Sequence, residues 1–189
     1  MPSPPPPPET REVIDTLILS DSMMRHVDIV GNVVKEILPG AQCDQLFHKF
    51  LELEAKYVFK DIIVSVGTNY VTDTSWYACE IPQEIANFLT AINERTPETT
   101  KVTFCQILPK RGKFNKRHHM DKINYLNESI DDLLSPFDIN FINYEDYGDI
   151  IPIDCFSIIC RDGTHLNRYG VQLVGWYINQ HLKITNRQY

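Results

Sequence analysis

The chain has 189 residues, 43% of them hydrophobic and 23% charged, so it is long enough to form one domain that buries most of its apolar surface without disulfides. Its formal net charge of −7 argues against a protein whose whole surface binds nucleic acid, because phosphate binding needs clustered Lys and Arg. The five cysteines are odd in number and include no Cys-x-x-Cys pair, which indicates a reducing, cytoplasmic location and neither a disulfide framework nor a zinc site.

The N-terminal segment is rich in proline. Six of the twelve prolines lie within residues 2–8, and such a run favours the extended polyproline II conformation and cannot pack a core. We therefore predict a tail or linker over residues 1–11, one folded domain over 12–185 and a short C-terminal tail over 186–189.

Beyond this tail, apolar runs rich in β-branched residues alternate with longer segments of helical spacing, a pattern typical of repeated βα units. The predicted strands are 13–20, 33–38, 61–66, 101–107 and 139–143. The predicted helices are 43–57, a segment that begins at Pro82, 123–134 and 173–182. Together they predict an α/β protein built as a three-layer α/β/α sandwich, in which ligands bind at the carboxyl ends of parallel strands.

Ser22 directly follows the first predicted strand. A turn from strand to helix at this point would expose its hydroxyl and aim backbone N–H groups at the same place, as a nucleophile requires. Taken alone, a serine here is more often a helix N-cap. Ser20 is a competing candidate, although its earlier position and the alternation of the strand favour a structural role.

Two further strand ends carry candidates for the binding of an oxyanion. Gly40 has no side chain, so its N–H can approach a ligand closely, and Asn69 offers a side-chain amide after the most apolar strand. The simpler alternatives are a turn glycine and an asparagine that caps the backbone.

Asp162 and His165 lie three residues apart, just before the last predicted helix. In a tight turn this spacing allows the carboxylate to accept from one ring nitrogen and leaves the other nitrogen free for a serine. The alternative is an ordinary polar loop. A histidine base must be neutral, so we expect activity to fall below about pH 6.

The blocks Ser20-Asp21-Ser22, Gly40, Gly67-Thr68-Asn69 and Asp162-x-x-His165 occur in the order found in the SGNH (GDSL-type) hydrolases, and the sequence resembles that superfamily. The resemblance implies a serine esterase with a flavodoxin-like sheet of order 2-1-3-4-5 and no metal or cofactor. It assigns the nucleophile to Ser22, the acid–base pair to His165 and Asp162, and the oxyanion donors to the N–H groups of Ser22 and Gly40 and the amide of Asn69.

Longer stretches such as SDSMMRHV, PGAQCDQL and RDGTHLNRYGVQL resemble the esterase domain of the first open-reading-frame proteins of LINE-type retrotransposons. The similarity extends from about Thr16 to Leu182 and implies a small-molecule or lipid ester as substrate. Tyr70 stands where the superfamily has an aspartate that orders the loop of Asn69. That aspartate is not one of the catalytic residues, so the departure bears on the placement of Asn69 and through it on the level of activity.

Residues 110–122 form a basic segment with six basic residues and one acidic residue. Five of them are candidate contacts for phosphate on a membrane surface or a nucleic acid: Lys110, Arg111, Lys113, Lys116 and Arg117. A solvated loop is the simpler interpretation. The alternative function is therefore a binding module that uses this segment, while a deacetylase acting on sugar O-acetyl groups would share the esterase chemistry.

Overall fold

The computed structural model describes residues 11–72, 79–108, 116–144, 158–163 and 165–185. Its strands form one parallel sheet of order β2-β1-β3-β4-β5, which is the predicted order 2-1-3-4-5. The strand bounds are β1 Glu12–Ser20, β2 Val33–Ile37, β3 Tyr57–Ser65, β4 Lys101–Cys105 and β5 Ile139–Ile142. Because all strands run the same way, their carboxyl ends lie along one edge of the sheet, where the candidate site residues follow.

The helices are α1 Cys43–Glu54, α2 Thr68–Thr72, α3 Glu80–Arg95, α4 Lys116–Leu134 and α5 Arg168–Thr185. Neighbouring residues of the central strands belong to different cores, since Leu17 and Leu19 pack with α1, α3 and α4 whereas Ile18 packs with α5. Both faces of the sheet are therefore buried, and the predicted three-layer sandwich is confirmed.

The predicted boundary between the first helix and the third strand is wrong. Helix α1 ends at Glu54, where the N–H of Lys56 donates to the carbonyl of Leu53, and Tyr57 begins β3 instead of ending the helix. Aromatic and β-branched side chains favour strands, and here the backbone of Tyr57 pairs in register with Glu12 of β1. Tyr57 fits the apolar spacing of the helix only by coincidence. Tyr57 and Phe59 follow the two-residue alternation of a strand.

Two short helical turns at the carboxyl edge of the sheet were not predicted. A 3-10 helix, Ser22–Met24, follows β1, and α2 follows β3. Each turn holds one candidate site residue directly after a central strand. Within the described residues, no helix is both long and apolar enough to cross a membrane.

Candidate active site

Ser22 is the first residue of the 3-10 helix after β1, and its side chain is half-buried. The helix begins here because the Asp21 side chain caps it and accepts a hydrogen bond from the N–H of Met23 at 2.9 Å. Met23 and Met24 anchor the same turn in the core. Ser22 is therefore held on a fixed turn at the carboxyl edge of the sheet.

Asp162 and His165 lie on a tight loop that two hydrogen bonds close. The N–H of Cys160 donates to the carbonyl of His165 at 2.7 Å, and the N–H of Gly163 donates to the carbonyl of Cys160 at 3.0 Å. Gly163 has a φ of +78°, which favours glycine at this point of the turn. The flanking residues Ile159 and Leu166 are buried and pair as an antiparallel bridge, so both ends of the loop are packed into the core.

The two side chains contact each other as the sequence predicts. One carboxylate oxygen of Asp162 accepts from the N–H of His165 at 3.0 Å, and the other lies 2.8 Å from Nδ1 of the ring. This second contact orients the imidazole and directs Nε2 away from the carboxylate. Both side chains are about half exposed, so solvent screens their electrostatic attraction. The contact therefore orients the imidazole ring and contributes little to the stability of the fold.

A single cavity of about 260 Å³ is lined by Ser22, Asp162 and His165 together. The first residue comes from the end of β1 and the other two from a loop about 140 positions later in the chain. Among the described residues, no hydrogen bond joins the Ser22 hydroxyl to the His165 ring, and catalytic hydrogen bonds often tighten only when a substrate is bound. The fold nevertheless brings a hydroxyl and an oriented imidazole to one cavity.

The candidate oxyanion donors also lie near this edge of the sheet. Gly40 is exposed with a φ of +78°, and the hydrogen bonds of the described residues leave the N–H groups of Ser22 and Gly40 without an acceptor. The amide of Asn69 donates to Asp21 at 3.3 Å and to the carbonyl of Ala41 at 3.2 Å. Both amide contacts are long, so the amide sits between the loops of Ser22 and Gly40 and is held only weakly by each.

Tyr70 attaches the loop of Asn69 to the start of α1. Its ring is fully buried, and its hydroxyl accepts a hydrogen bond from the N–H of Cys43 at 2.9 Å, at the start of α1. Burial raises the pKa of this phenol well above its usual range, so the group stays neutral. Tyr70 thus gives the loop a fixed attachment at the position where the resembled superfamily has an aspartate.

Several competing nucleophiles are excluded by burial. Ser20 is fully buried as the last residue of β1, as the sequence predicts for a structural residue. Burial also raises the pKa of the thiols of Cys43 and Cys105 to about 12, so neither forms a thiolate at neutral pH. Among the described residues, no group of three or more His, Cys, Asp or Glu side chains is arranged to hold a metal ion.

The predicted basic segment is described only in part. Lys110, Arg111 and Lys113 lie outside the described residues. Lys116 and Arg117 begin α4, and their side chains are not among those described. Lys122, later in the same segment, donates to the carbonyl of Val71 at 3.2 Å and so fastens α4 to α2.

Sequence reasoning missed the other residues that line the cavity, which are Met23, Arg25, His26, Cys160, Leu166 and Val171. Arg25 and His26 could have been found from the helical turn, because residues that follow a nucleophile on a short helix stay beside it. It also missed Asp21 as the residue that links the turn of Ser22 to Asn69, although an aspartate before a helix is a common N-cap signal.

No protein-family model matches the chain, and no curated protein does. Solved structures do match its fold. A GDSL-like lipase from Bacteroides thetaiotaomicron is 17% identical with a TM-score of 0.68, and the match covers 89% of this chain and 87% of that one. A lipase/acylhydrolase from Enterococcus faecalis is 12% identical with a TM-score of 0.66 over 94% of this chain and 97% of that one.

An acetylxylan esterase from Geobacillus stearothermophilus, solved as a catalytic mutant, is 9% identical with a TM-score of 0.68, and the match covers 92% of this chain and 96% of that one. Matches at such low identity show a shared fold, and the chemistry of the site must be inferred from the residues of this chain. The chain therefore has the flavodoxin-like fold that these acylhydrolases share.

Proposed function

We propose that the protein is a serine ester hydrolase of the SGNH type, with Ser22 as nucleophile and His165 as its base. The observation that carries the proposal is the cavity lined jointly by Ser22 and by the hydrogen-bonded pair Asp162 and His165. The fold of the chain, which a lipase, an acylhydrolase and an acetylxylan esterase share, also supports ester hydrolysis. The similarity of SDSMMRHV, PGAQCDQL and RDGTHLNRYGVQL to the LINE-type esterase domain adds a retrotransposon-type context to the proposal, and the cysteine content adds a cytoplasmic one.

In this mechanism Nε2 of His165 takes the proton of the Ser22 hydroxyl while the oxygen attacks the ester carbonyl carbon. Asp162 holds the ring through Nδ1 and stabilises its cation. The N–H groups of Ser22 and Gly40, together with the amide of Asn69, receive the negative charge of the tetrahedral intermediate.

The intermediate then collapses, the ester C–O bond breaks, and His165 returns the proton to the departing alcohol. Water hydrolyses the acyl-enzyme by the same steps, with His165 again as base and Ser22 as the leaving group. The cavity of about 260 Å³ is small for a ligand site, so acetyl and other short acyl groups fit it best.

The test is hydrolysis of p-nitrophenyl acetate, butyrate and octanoate by the wild type and by Ser22→Ala and His165→Ala. Each substitution should lower kcat by roughly 1000-fold or more, because removal of one member disables the whole catalytic set. His48→Gln, a substitution on the exposed face of α1, is the matched control and should keep the wild-type rate. Folding of each variant is checked by circular dichroism.

His26 also lines the cavity, so a further variant separates the two histidines. His26→Gln should reduce the rate far less than His165→Ala, since the described contacts of Asp162 orient the ring of His165. Equal rates in wild type and Ser22→Ala would refute the esterase and favour the binding module. The ranking of the three chain lengths would distinguish short acyl esters from lipid esters.

A further inference from the structure

Arg25 follows Ser22 by three residues on the same helical turn. Its N–H donates to the carbonyl of Ser22 at 3.3 Å, and its backbone is helical with φ −51° and ψ −41°. A 3-10 helix has three residues per turn, so side chains at positions i and i+3 lie one above the other. The side chains of Ser22 and Arg25 therefore start from the same side of the turn, and both residues line the cavity.

The positive charge of Arg25 is available to a ligand. Its side chain is exposed, and among the described residues it makes no ion pair or hydrogen bond. Asp162 is the one carboxylate among the residues that line the cavity, and both of its oxygens contact His165. Arg161, next to Asp162 in the chain, is exposed as well.

The cavity differs in charge from the chain as a whole. The protein carries a net charge of −7, whereas the residues that line the cavity carry one positive charge, on Arg25, and one negative charge, on Asp162, whose carboxylate is directed at His165. A general negative field repels anionic substrates, so an arginine beside the nucleophile with no ion pair among the described residues would attract an anionic group locally against this field. Guanidinium groups bind carboxylates and phosphates through paired N–H donors.

We propose that Arg25 determines specificity and selects esters that carry an anionic group, a carboxylate or a phosphate, next to the scissile bond. This inference rests on the proposed function of Ser22. It assigns to the substrate a charged portion that remains bound beside Ser22 during acyl transfer. The anionic group belongs either to the acyl part or to the alcohol part, and matched pairs of esters distinguish the two.

The experiment measures kcat/KM for two pairs that differ in one charge. The acyl pair is mono-p-nitrophenyl succinate and its neutral methyl ester, and the alcohol pair is 4-acetoxybenzoate and its neutral methyl ester. Rates measured with Ser22→Ala are subtracted, because the succinate can hydrolyse itself. In wild type we expect the charged member of one pair to be preferred by roughly five- to tenfold, as for a charge-assisted hydrogen bond at an open site.

Three variants test the residue itself. Arg25→Gln should bring the ratio of charged to neutral substrate close to one, and Arg25→Lys should retain part of the preference. Arg11→Gln is the matched control, because Arg11 precedes β1 at the opposite edge of the sheet and should leave the ratio as in wild type. Salt at about 0.5 M should weaken the preference in wild type by screening.

The two proposals fail in different ways. If wild type hydrolyses the neutral esters through Ser22 but shows no preference in either pair, or if the preference survives Arg25→Gln, the role of Arg25 is refuted and the esterase stands. If no ester is hydrolysed faster than by Ser22→Ala, both proposals are refuted.

Discussion

Tyr70 joins the two loops that carry the candidate oxyanion donors. Its buried hydroxyl accepts from the N–H of Cys43, two residues beyond Ala41, while the neighbouring Asn69 donates to the carbonyl of Ala41. A buried N–H group has lost its hydrogen bonds to water, so removing its acceptor leaves that free-energy cost without compensation. The phenol therefore contributes to stability and to the placement of Asn69 at once.

Tyr70→Phe removes this acceptor and changes the volume of the side chain only slightly. We expect the free energy of unfolding to fall by about 1–3 kcal/mol, measured by urea denaturation. Tyr125→Phe is the control, because Tyr125 is an exposed tyrosine on α4 and its loss should have little effect. Equal stability of the Tyr70→Phe variant and wild type would show that water or another group replaces the tyrosine hydroxyl.

A contact between two side chains was predicted where it is local in the sequence. The contact between Asp162 and His165 follows from a three-residue spacing, and the structure contains it. The hydrogen bond from Cys43 to Tyr70 spans 27 positions, and nothing in the sequence marks a tyrosine as a buried acceptor for a distant helix. The proposed role of Arg25 depends on a local feature, the 3-10 turn that begins at Ser22, and the sequence analysis did not extend that turn to Arg25.

At the scale of elements, α5 packs closely against the segment that carries Asp162. Gly170 lies in the first turn of α5, and a Cβ added there would overlap the backbone carbonyl oxygen of Ile158. The absence of a side chain thus allows the helix to approach the residues just before the active-site loop.

Gly170→Ala should force α5 and the segment at Ile158 apart. We expect a loss of about 1–3 kcal/mol in the free energy of unfolding, together with a lower kcat for ester hydrolysis, because the loop of Asp162 follows directly. Gly175→Ala is the comparison in the same helix, since its Cβ would lie 3.1 Å from the carbonyl of Asp28 and needs a smaller adjustment. A Gly170→Ala variant at least as stable as Gly175→Ala would contradict this packing.

Elements with a strong periodic pattern were predicted with boundaries close to those observed, as for β1 and β2. The predicted starts of the last two helices, 123 and 173, are wrong, because α4 begins at Lys116 and α5 at Arg168, before the first residue of each apolar pattern. Another error lies where two patterns meet. Tyr57 continues the apolar face of α1 in sequence but belongs to β3, because pairing with β1 outweighs one more turn of helix. The short turns after β1 and β3 have too few residues to show any period.

At the scale of the whole molecule, the pH dependence of stability depends partly on His181. This residue of α5 contacts the hydroxyl of Thr103 on β4 at 3.2 Å, and burial lowers its pKa below the ordinary value of 6.5. The unfolded chain therefore binds a proton more readily than the folded one. The contribution of His181 to stability is complete above about pH 6.5 and is lost as the pH falls below that value.

We expect His181→Gln to reduce the difference in unfolding free energy between pH 7.5 and pH 5.5, by at most about 1.4 kcal/mol for each pH unit. Urea denaturation at both pH values measures it. His48→Gln carries the same substitution at an exposed position and should preserve the wild-type difference. An undiminished difference in the His181→Gln variant would mean that the pKa of His181 is the same in the folded and the unfolded chain.

Covalent labelling tests whether Ser22 is a nucleophile that His165 activates. The Ser22 oxygen should bond to the phosphorus of a fluorophosphonate and displace fluoride while His165 takes the hydroxyl proton, which leaves a phosphonyl adduct that intact-mass analysis and peptide mapping locate on Ser22. Ser22→Ala should abolish the adduct, and His165→Ala should slow its formation by roughly 1000-fold or more. A folded wild-type protein that acquires no adduct, or acquires it on another residue while Ser22 stays unmodified, would show that Ser22 is not an activated nucleophile.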